Sequence, residues 1–307
     1  MNRPVAFETA MLADAGAAML AQQQSAQAQP AGLGTSRQAQ SPYVAAKDGT
    51  KLFVQDWGTG RPVVLVAAWT FNSDVWGNHI AALSAKGFRC IAPDRRGHGR
   101  SEVPSAGYDL EALTDDLAAI VEARDLYDVT LVAHSMGSIE AVNYLARHGS
   151  SRVSRLVLAA PTTPFIVETA DNPDAVPPAL VEAQYNEIAE DFPLWVAANE
   201  APFFAPDTPA ITRDWIRAIM LSVPVPVALA CRATISSADL RQAAAKIDLP
   251  TLIVHGDKDA SAPLPLTGAK TAKLIPGSKL TVYEGAPHAL VLTHRERFLA
   301  DLLAFIG

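Results

Sequence analysis

The chain has 307 residues, 49% of them hydrophobic, which is enough to bury one large core or a core with a small accessory unit. A formal charge of -7 with no long basic run leaves no electrostatic footprint for nucleic acid. No apolar stretch reaches the ~18 residues of a membrane span, and the only two cysteines, Cys90 and Cys231, sit in separate apolar stretches, which reads as two buried structural thiols rather than a disulfide or a metal site.

Residues 1–40 are Ala- and Gln-rich and differ in composition from the remainder of the chain. Arg3, the apolar stretch from Ala6 to Ala21 and the A-x-A site Ala26-Gln27-Ala28 have the layout of a degenerate secretory signal, which implies a periplasmic or secreted destination. Glu8 and Asp14 interrupt that stretch and fit the other reading, an amphipathic helix with Phe7, Met11, Ala15 and Met19 in one stripe, in a cytoplasmic protein.

From Tyr43 the pattern is that of strands. Tyr43-Val-Ala-Ala46, an Asp48-Gly49 turn and Lys51 to Trp57 predict a hairpin. The continuous apolar run Pro62 to Ala67 predicts a strand buried on both faces. A helix from Ile80 to Lys86, a strand from Phe88 to Ala92, a turn-rich Pro93 to Ser101, a helix from Leu110 to Ala123, a strand from Val129, a helix through Arg147 and a strand from Val153 to Ala160 succeed one another in alternation. Between 161 and 247 the alternation stops and proline, aromatic residues and helical patterns take over. It resumes with a strand from Pro250 to His255, a helix from Thr267 to Leu274, a strand from Leu280 to Tyr283 and a last helix from Arg295 to Ile306. Repeated βα units of this kind predict a mostly parallel sheet covered by helices, built from residues 41–160 and 248–307. Residues 161–247 are then a helical cap insertion over the carboxyl ends of the strands, where ligand sites of open α/β sheets lie.

Ser135 occupies the turn between the Val129 strand and the helix after it, in Ala133-His-Ser-Met-Gly137. A serine hydroxyl needs a base to take its proton, and the base needs a carboxylate to fix its tautomer. Past the first strand after the insertion the chain reads His255-Gly-Asp257-Lys-Asp259, and past the last strand it reads Glu284-Gly-Ala-Pro-His288. Serine, acid and histidine therefore arrive in that order, each just beyond a strand. Gly97 to Gly99 has no Gly-Lys-Ser after it, so a nucleotide loop is not read there.

From residue 43 to the C-terminus the chain resembles the α/β-hydrolases of the esterase and non-haem chloroperoxidase (perhydrolase) branch. The motifs that carry the resemblance are Asp94-Arg-Arg-Gly-His-Gly-Arg-Ser101, Ala133-His-Ser-Met-Gly137, His255-Gly-Asp-Lys-Asp259 and Ala286-Pro-His288. The resemblance implies an eight-stranded, mostly parallel sheet and a nucleophile elbow at Ser135. It also implies a triad of Ser135, His288 and Asp259, with Asp257 structural. The implied oxyanion donors are the backbone N–H groups of Met136 and Trp69, the latter in Val66-Ala-Ala-Trp-Thr70, where the family usually has His-Gly before the aromatic residue. Alanine at 67 and 68 suits that loop if neither position needs a positive φ. His98 and His134 match structural positions. Phe71, Phe165, Trp195, Phe204 and Trp215 are the candidates for an apolar pocket. No cofactor and no metal is implied, and the partner is a small-molecule ester or lactone with a small to medium apolar acyl group. Two other readings stay open at this point. The same triad supports perhydrolysis or halogenation through a peracid, and the scaffold also occurs in hydrolase-like receptors. Carbon–carbon cleavage or cofactor-free oxygenation is a further variant that the Ala67-Ala68 loop favours.

Overall fold

The structure is a computed structural model describing residues 40–307, so both readings of the N-terminal extension lie outside the described residues. The Asp48-Gly49 turn closes the first hairpin: Gly49 takes φ +89, and the Asp48 side chain accepts from the Thr50 N–H at 3.0 Å. It joins β1 (Tyr43–Ala45) to β2 (Lys51–Trp57) with Tyr43 opposite Phe53. The other strands are β3 (Pro62–Val66), β4 (Arg89–Pro93), β5 (Val129–His134), β6 (Val153–Ala159), β7 (Thr251–Gly256) and β8 (Lys279–Tyr283). They form one eight-stranded sheet in the order β1-β2-β4-β3-β5-β6-β7-β8, with β2 antiparallel to both neighbours and every other pairing parallel. This is the α/β-hydrolase fold.

The pleat explains why β3 is apolar at every position. Val63 and Leu65 enter one core and Val64 and Val66 the other, because successive side chains point to opposite faces of a sheet covered on both sides. Each fully buried side chain of this size contributes about 1.5–3 kcal/mol. Helices α1 (Gly77–Ala85), α2 (Leu110–Ala123) and α3 (Gly137–His148) connect the first strands, with a short 3-10 turn at Ser73–Trp76 before α1. The first of these helices therefore starts before Ile80, because the 3-10 turn feeds straight into it. Asp109 caps α2 by accepting from the Ala112 N–H at 2.9 Å. Cys90 and Cys231 are free and fully buried, and burial pushes their thiols up to about 11 and about 12.

Between β6 and β7 the chain makes α4 (Pro178–Glu190), α5 (Phe192–Phe203), α6 (Ala210–Leu221), α7 (Val225–Ser237) and the short α8 (Arg241–Ala244). After β7 come α9 (Gly268–Leu274), α10 (Leu290–Thr293) and α11 (Arg295–Ile306). Among the described residues no single helix is long and apolar enough to cross a membrane.

Candidate active site

The turn from β5 into α3 forces Ser135 to φ +53, a left-handed conformation that a side chain other than glycine adopts only when its surroundings impose it. The surroundings do so from both sides. The Ser135 N–H donates to the Ala159 carbonyl at 3.0 Å, and its carbonyl accepts from the Ser138 N–H at 2.8 Å and hydroxyl at 2.5 Å. A Cβ at Gly137 would stand 2.9 Å from the Val66 carbonyl oxygen, so strand and helix meet here only through glycine. Two residues before the serine the approach is looser, and the Ala133 methyl is fully buried without displacing the strand pairing to Val66 and Leu158.

Ser135 Oγ lies 2.8 Å from His288 Nε2, and His288 Nδ1 lies 2.7 Å from Asp259 Oδ2. The tautomer is set by the partners: a carboxylate only accepts, so Nδ1 carries the proton and Nε2 is left to accept from the serine hydroxyl. Asp259 is held by three further donors. Its Oδ1 accepts from the N–H groups of Ser261 at 3.0 Å and Ala262 at 2.7 Å, and His255 Nε2 reaches Oδ2 at 3.1 Å. His255 Nε2 must be protonated, because its other partner is the Ala262 carbonyl at 2.8 Å. Burial opposes the Asp259 charge, but His288 and His255 outweigh it and hold the carboxyl well below the ordinary range. Asp257 stays outside this network; its Oδ1 accepts from the Gly285 N–H at 2.7 Å and ties the loop that carries His288 to the end of β7.

The backbone N–H groups of Met136 and Trp69 have no backbone acceptor among the described residues, and Ser135, Trp69 and His288 line the same cavity. The Trp69 loop is held from behind. Buried Arg95 donates to the carbonyls of Ala67 at 2.8 Å and Ala68 at 3.1 Å and pairs with buried Glu140 at the start of α3. The positive φ of this loop falls at Thr70 (φ +60), and neither alanine needs one, so Ala67-Ala68 carries no backbone penalty in place of His-Gly. The Trp69 indole N–H donates to the Ala228 carbonyl on α7 at 2.9 Å and so anchors the loop from above as well.

The cavity, about 250 Å³, lies between these groups and the helices after β6. Phe71, Trp195 and Phe204 line it, and Phe165 and Trp215 do not. On α6 the helical period turns Arg213, Ile216, Arg217 and Met220 to the cavity and leaves Trp215 on the outer side, 39% exposed. Phe165 is buried under the guanidinium of Arg241, 5.4 Å away. The residues that pattern reading missed are His255, Arg95, Glu140 and Arg232. His255 stands near the end of β7, four residues before Asp259 in the loop that follows, and Arg95 sits inside the Asp94–Ser101 motif; nothing in the sequence pairs Arg95 with Glu140 or turns Arg232 inward. The rest of that motif is a scaffold. Asp94 accepts from the Ser73 N–H at 2.7 Å and the Arg100 N–H at 2.8 Å, and a Cβ at Gly99 would stand 2.3 Å from its Oδ2.

His134 is structural here: its Nε2 faces the His288 carbonyl at 3.0 Å and donates to it, which fixes the backbone of the candidate base without touching the serine. Burial holds three imidazoles far below the ordinary 6.5, His79 at about 4 and His98 and His134 at about 3. Unfolding frees them to bind protons that the native state refuses, so stability is complete above pH ~6.5 and falls as the pH drops toward 4. Each contributes up to about 1.4 kcal/mol per pH unit across that window. The urea midpoint of unfolding is therefore expected to be flat from pH 8 to 7 and to fall steeply from pH 6 to 4.5, with a shallower fall in His98→Asn; a midpoint constant over that range contradicts the assignment.

A sequence model described as the alpha/beta hydrolase fold matches residues 61–195. The chain is 38% identical over 274 residues to the non-heme chloroperoxidase CPO-A1 of Kitasatospora aureofaciens, covering 87% of this chain and 99% of that protein. It is 33% identical to the bifunctional esterase/perhydrolase DCH of Acinetobacter calcoaceticus, covering 86% of this chain and 99% of that one. Among solved structures it is similar to the esterase EaEST of Exiguobacterium antarcticum, with a TM-score of 0.83, 31% identity and coverage of 86% and 98%.

Proposed function

Since the chain belongs to the α/β-hydrolase family, in the branch of the non-haem chloroperoxidases and their esterase relatives, we propose that it is a serine hydrolase of carboxylic esters or lactones working through Ser135, His288 and Asp259. One observation carries this reading: the unbroken hydrogen-bond line from Asp259 through His288 to a serine held at φ +53 on the wall of a cavity. Ser135 Oγ attacks the carbonyl carbon while His288 Nε2 takes its proton. The negative charge that develops on the carbonyl oxygen is met by the N–H groups of Met136 and Trp69, each worth about 2.7–4 kcal/mol in the transition state. His288 returns the proton to the departing alkoxide, leaving an acyl-serine and the free alcohol. Water then attacks the acyl-serine with His288 again as base, releasing the acid and the serine hydroxyl. Asp259 keeps the imidazole oriented and stabilises its cationic form throughout.

A second reading shares every step but the last. Hydrogen peroxide in place of water at the acyl-serine releases a peracid and regenerates Ser135, an outcome favoured by the likeness to a chloroperoxidase and to an esterase/perhydrolase. Both readings are tested together. A fluorophosphonate is expected to label Ser135, located by peptide mass, and short p-nitrophenyl esters and γ- and δ-lactones are expected to turn over repeatedly. The same panel with acetate and peroxide then reads peracid directly. No labelling and no turnover of any ester or lactone overturns the hydrolase reading, and turnover without peracid removes the perhydrolase one.

A further inference from the structure

The cavity wall carries more positive charge than it neutralises. Four charged side chains from the helices after β6 line it, Arg213, Arg217, Arg232 and Glu200, in a chain whose own balance is -7. Two of the arginines are accounted for. Arg217 donates from Nε to Glu200 at 2.9 Å and from Nη1 to Asp214 at 2.8 Å, and Arg213 Nε stands 3.9 Å from the same Glu200. Arg232 is different. Its Nη2 donates to the Gln184 amide oxygen at 2.6 Å and its Nη1 to the Ser236 hydroxyl at 3.2 Å, both neutral, and among the described residues no carboxylate pairs with it. The guanidinium is half-buried, and that burial acts against its charge.

A guanidinium carries five N–H donors in a planar fork and stays charged at any working pH, and taking it out of water without a counter-ion is costly. Gln184 and Ser236 use two of those donors and hold the plane in place, leaving the others for a group that enters the cavity. The position is also set relative to the reacting centre. Arg232 is one turn along α7 from Ala228, whose carbonyl holds the Trp69 indole, and Trp69 carries an oxyanion donor of the proposed mechanism. The cavity wall that carries Arg232 also includes the apolar side chains of Ile166, Val176 and Ile235. A planar anion at the end of an apolar chain is the ligand that fits, since a carboxylate takes two parallel N–H bonds from such a fork.

We propose that Arg232, held by Gln184, determines specificity by binding a carboxylate on the substrate, so that the esters or lactones this enzyme handles best are anionic, with half-esters of dicarboxylic acids as the simplest representatives. This rests on the hydrolase reading above, and the experiment separates the two. Rates are measured for p-nitrophenyl half-esters of glutarate and adipate against neutral p-nitrophenyl esters of matched chain length, and for phenyl butyrates with and without a ring carboxylate, which places the anion on the acyl or the alcohol side. The wild type is expected to favour the anionic member of at least one pair by tenfold or more in kcat/KM. In Arg232→Gln that anionic-to-neutral ratio is expected to fall at least tenfold, with partial recovery in Arg232→Lys. Binding is read independently of turnover by calorimetry with free glutarate, expected for the wild type and Ser135→Ala and weakened at least tenfold in Arg232→Gln. An unchanged ratio in Arg232→Gln, as a purely structural role would give, overturns the proposal, as does a wild type that favours the neutral esters and ignores glutarate. Glutarate binding through Arg232 without ester turnover would sink the hydrolase reading and leave the anion site standing.

Discussion

Ser135→Ala is expected to lower kcat on a short p-nitrophenyl ester by about 10⁴–10⁶-fold and to abolish the acyl-enzyme seen by intact mass. The size reflects how the three groups act as a unit: once the nucleophile is gone, the base and the acid have nothing to activate, and only the oxyanion donors and binding remain. His288→Ala is expected to cost a similar factor, and Ser135→Ala combined with it should be no worse than Ser135→Ala alone. Asp259→Asn tests the geometry more sharply. Asp259 receives four N–H donors, from Ser261, Ala262, His255 and His288, and an amide can accept only at one of its two ends. With its oxygen toward the Ser261 and Ala262 N–H groups, its NH₂ meets His288 Nδ1, which must then give up its proton and place it on Nε2, facing Ser135. A loss of about 10⁴-fold in kcat is expected from that wrong tautomer. A variant at Ser135 that keeps more than about 1% of the wild-type rate is incompatible with a covalent mechanism through this serine.

Glu140→Ala is expected to be the most destabilising single change in the site, by about 3–5 kcal/mol, because it strands the Arg95 charge in a buried position. In thermal unfolding this is a fall of roughly 10 °C. Arg95→Met behaves differently. Burial already pushes the Glu140 carboxyl upward, so once Arg95 is gone it can stay neutral by keeping a proton, and the stability cost is expected to be smaller. The activity cost is expected to be larger relative to stability, about 10–100-fold in kcat with little change in KM, because Arg95 bonds the two carbonyls directly before the Trp69 N–H. Equal losses of stability in the two variants, or a KM effect without a kcat effect, would remove Arg95 as the residue that positions the oxyanion loop.

Much of the fold was legible because its central strands have to be largely apolar. A parallel sheet covered on both faces favours apolar side chains at Val63 to Val66 and Leu131 to Ala133, and the intervening helices carry their own period. Ser135, Asp259 and His288 were readable for a related reason: each lies in a short turn directly after a strand, where backbone geometry demands small or turn-forming neighbours such as Gly137, Gly256 and Gly285. The same glycines show why the motif tolerates Ala133 but not a side chain at 137, where the Val66 carbonyl is already within 2.9 Å of a Cβ position.

The rest depended on distances that no local pattern encodes. Trp215 and Phe165 are as aromatic as Trp195 and Phe204, and only the rotation of α6 and the course of the chain after β6 decide which of them reach the cavity. Arg95 meets Glu140 across 45 positions and Arg232 meets Gln184 across 48, so whether an arginine is paired, shared or left for a ligand is settled only once the helices pack. The order of residues alone is enough to specify the sheet, the succession of Ser135, Asp259 and His288, and the turn that lifts Ser135, because each rests on contacts between near neighbours or on the uniform environment of a buried strand. What supports the Trp69 loop, and which charge the cavity keeps unpaired, emerge only on packing, because burial and counter-ions are properties of the assembled molecule and not of any segment of it.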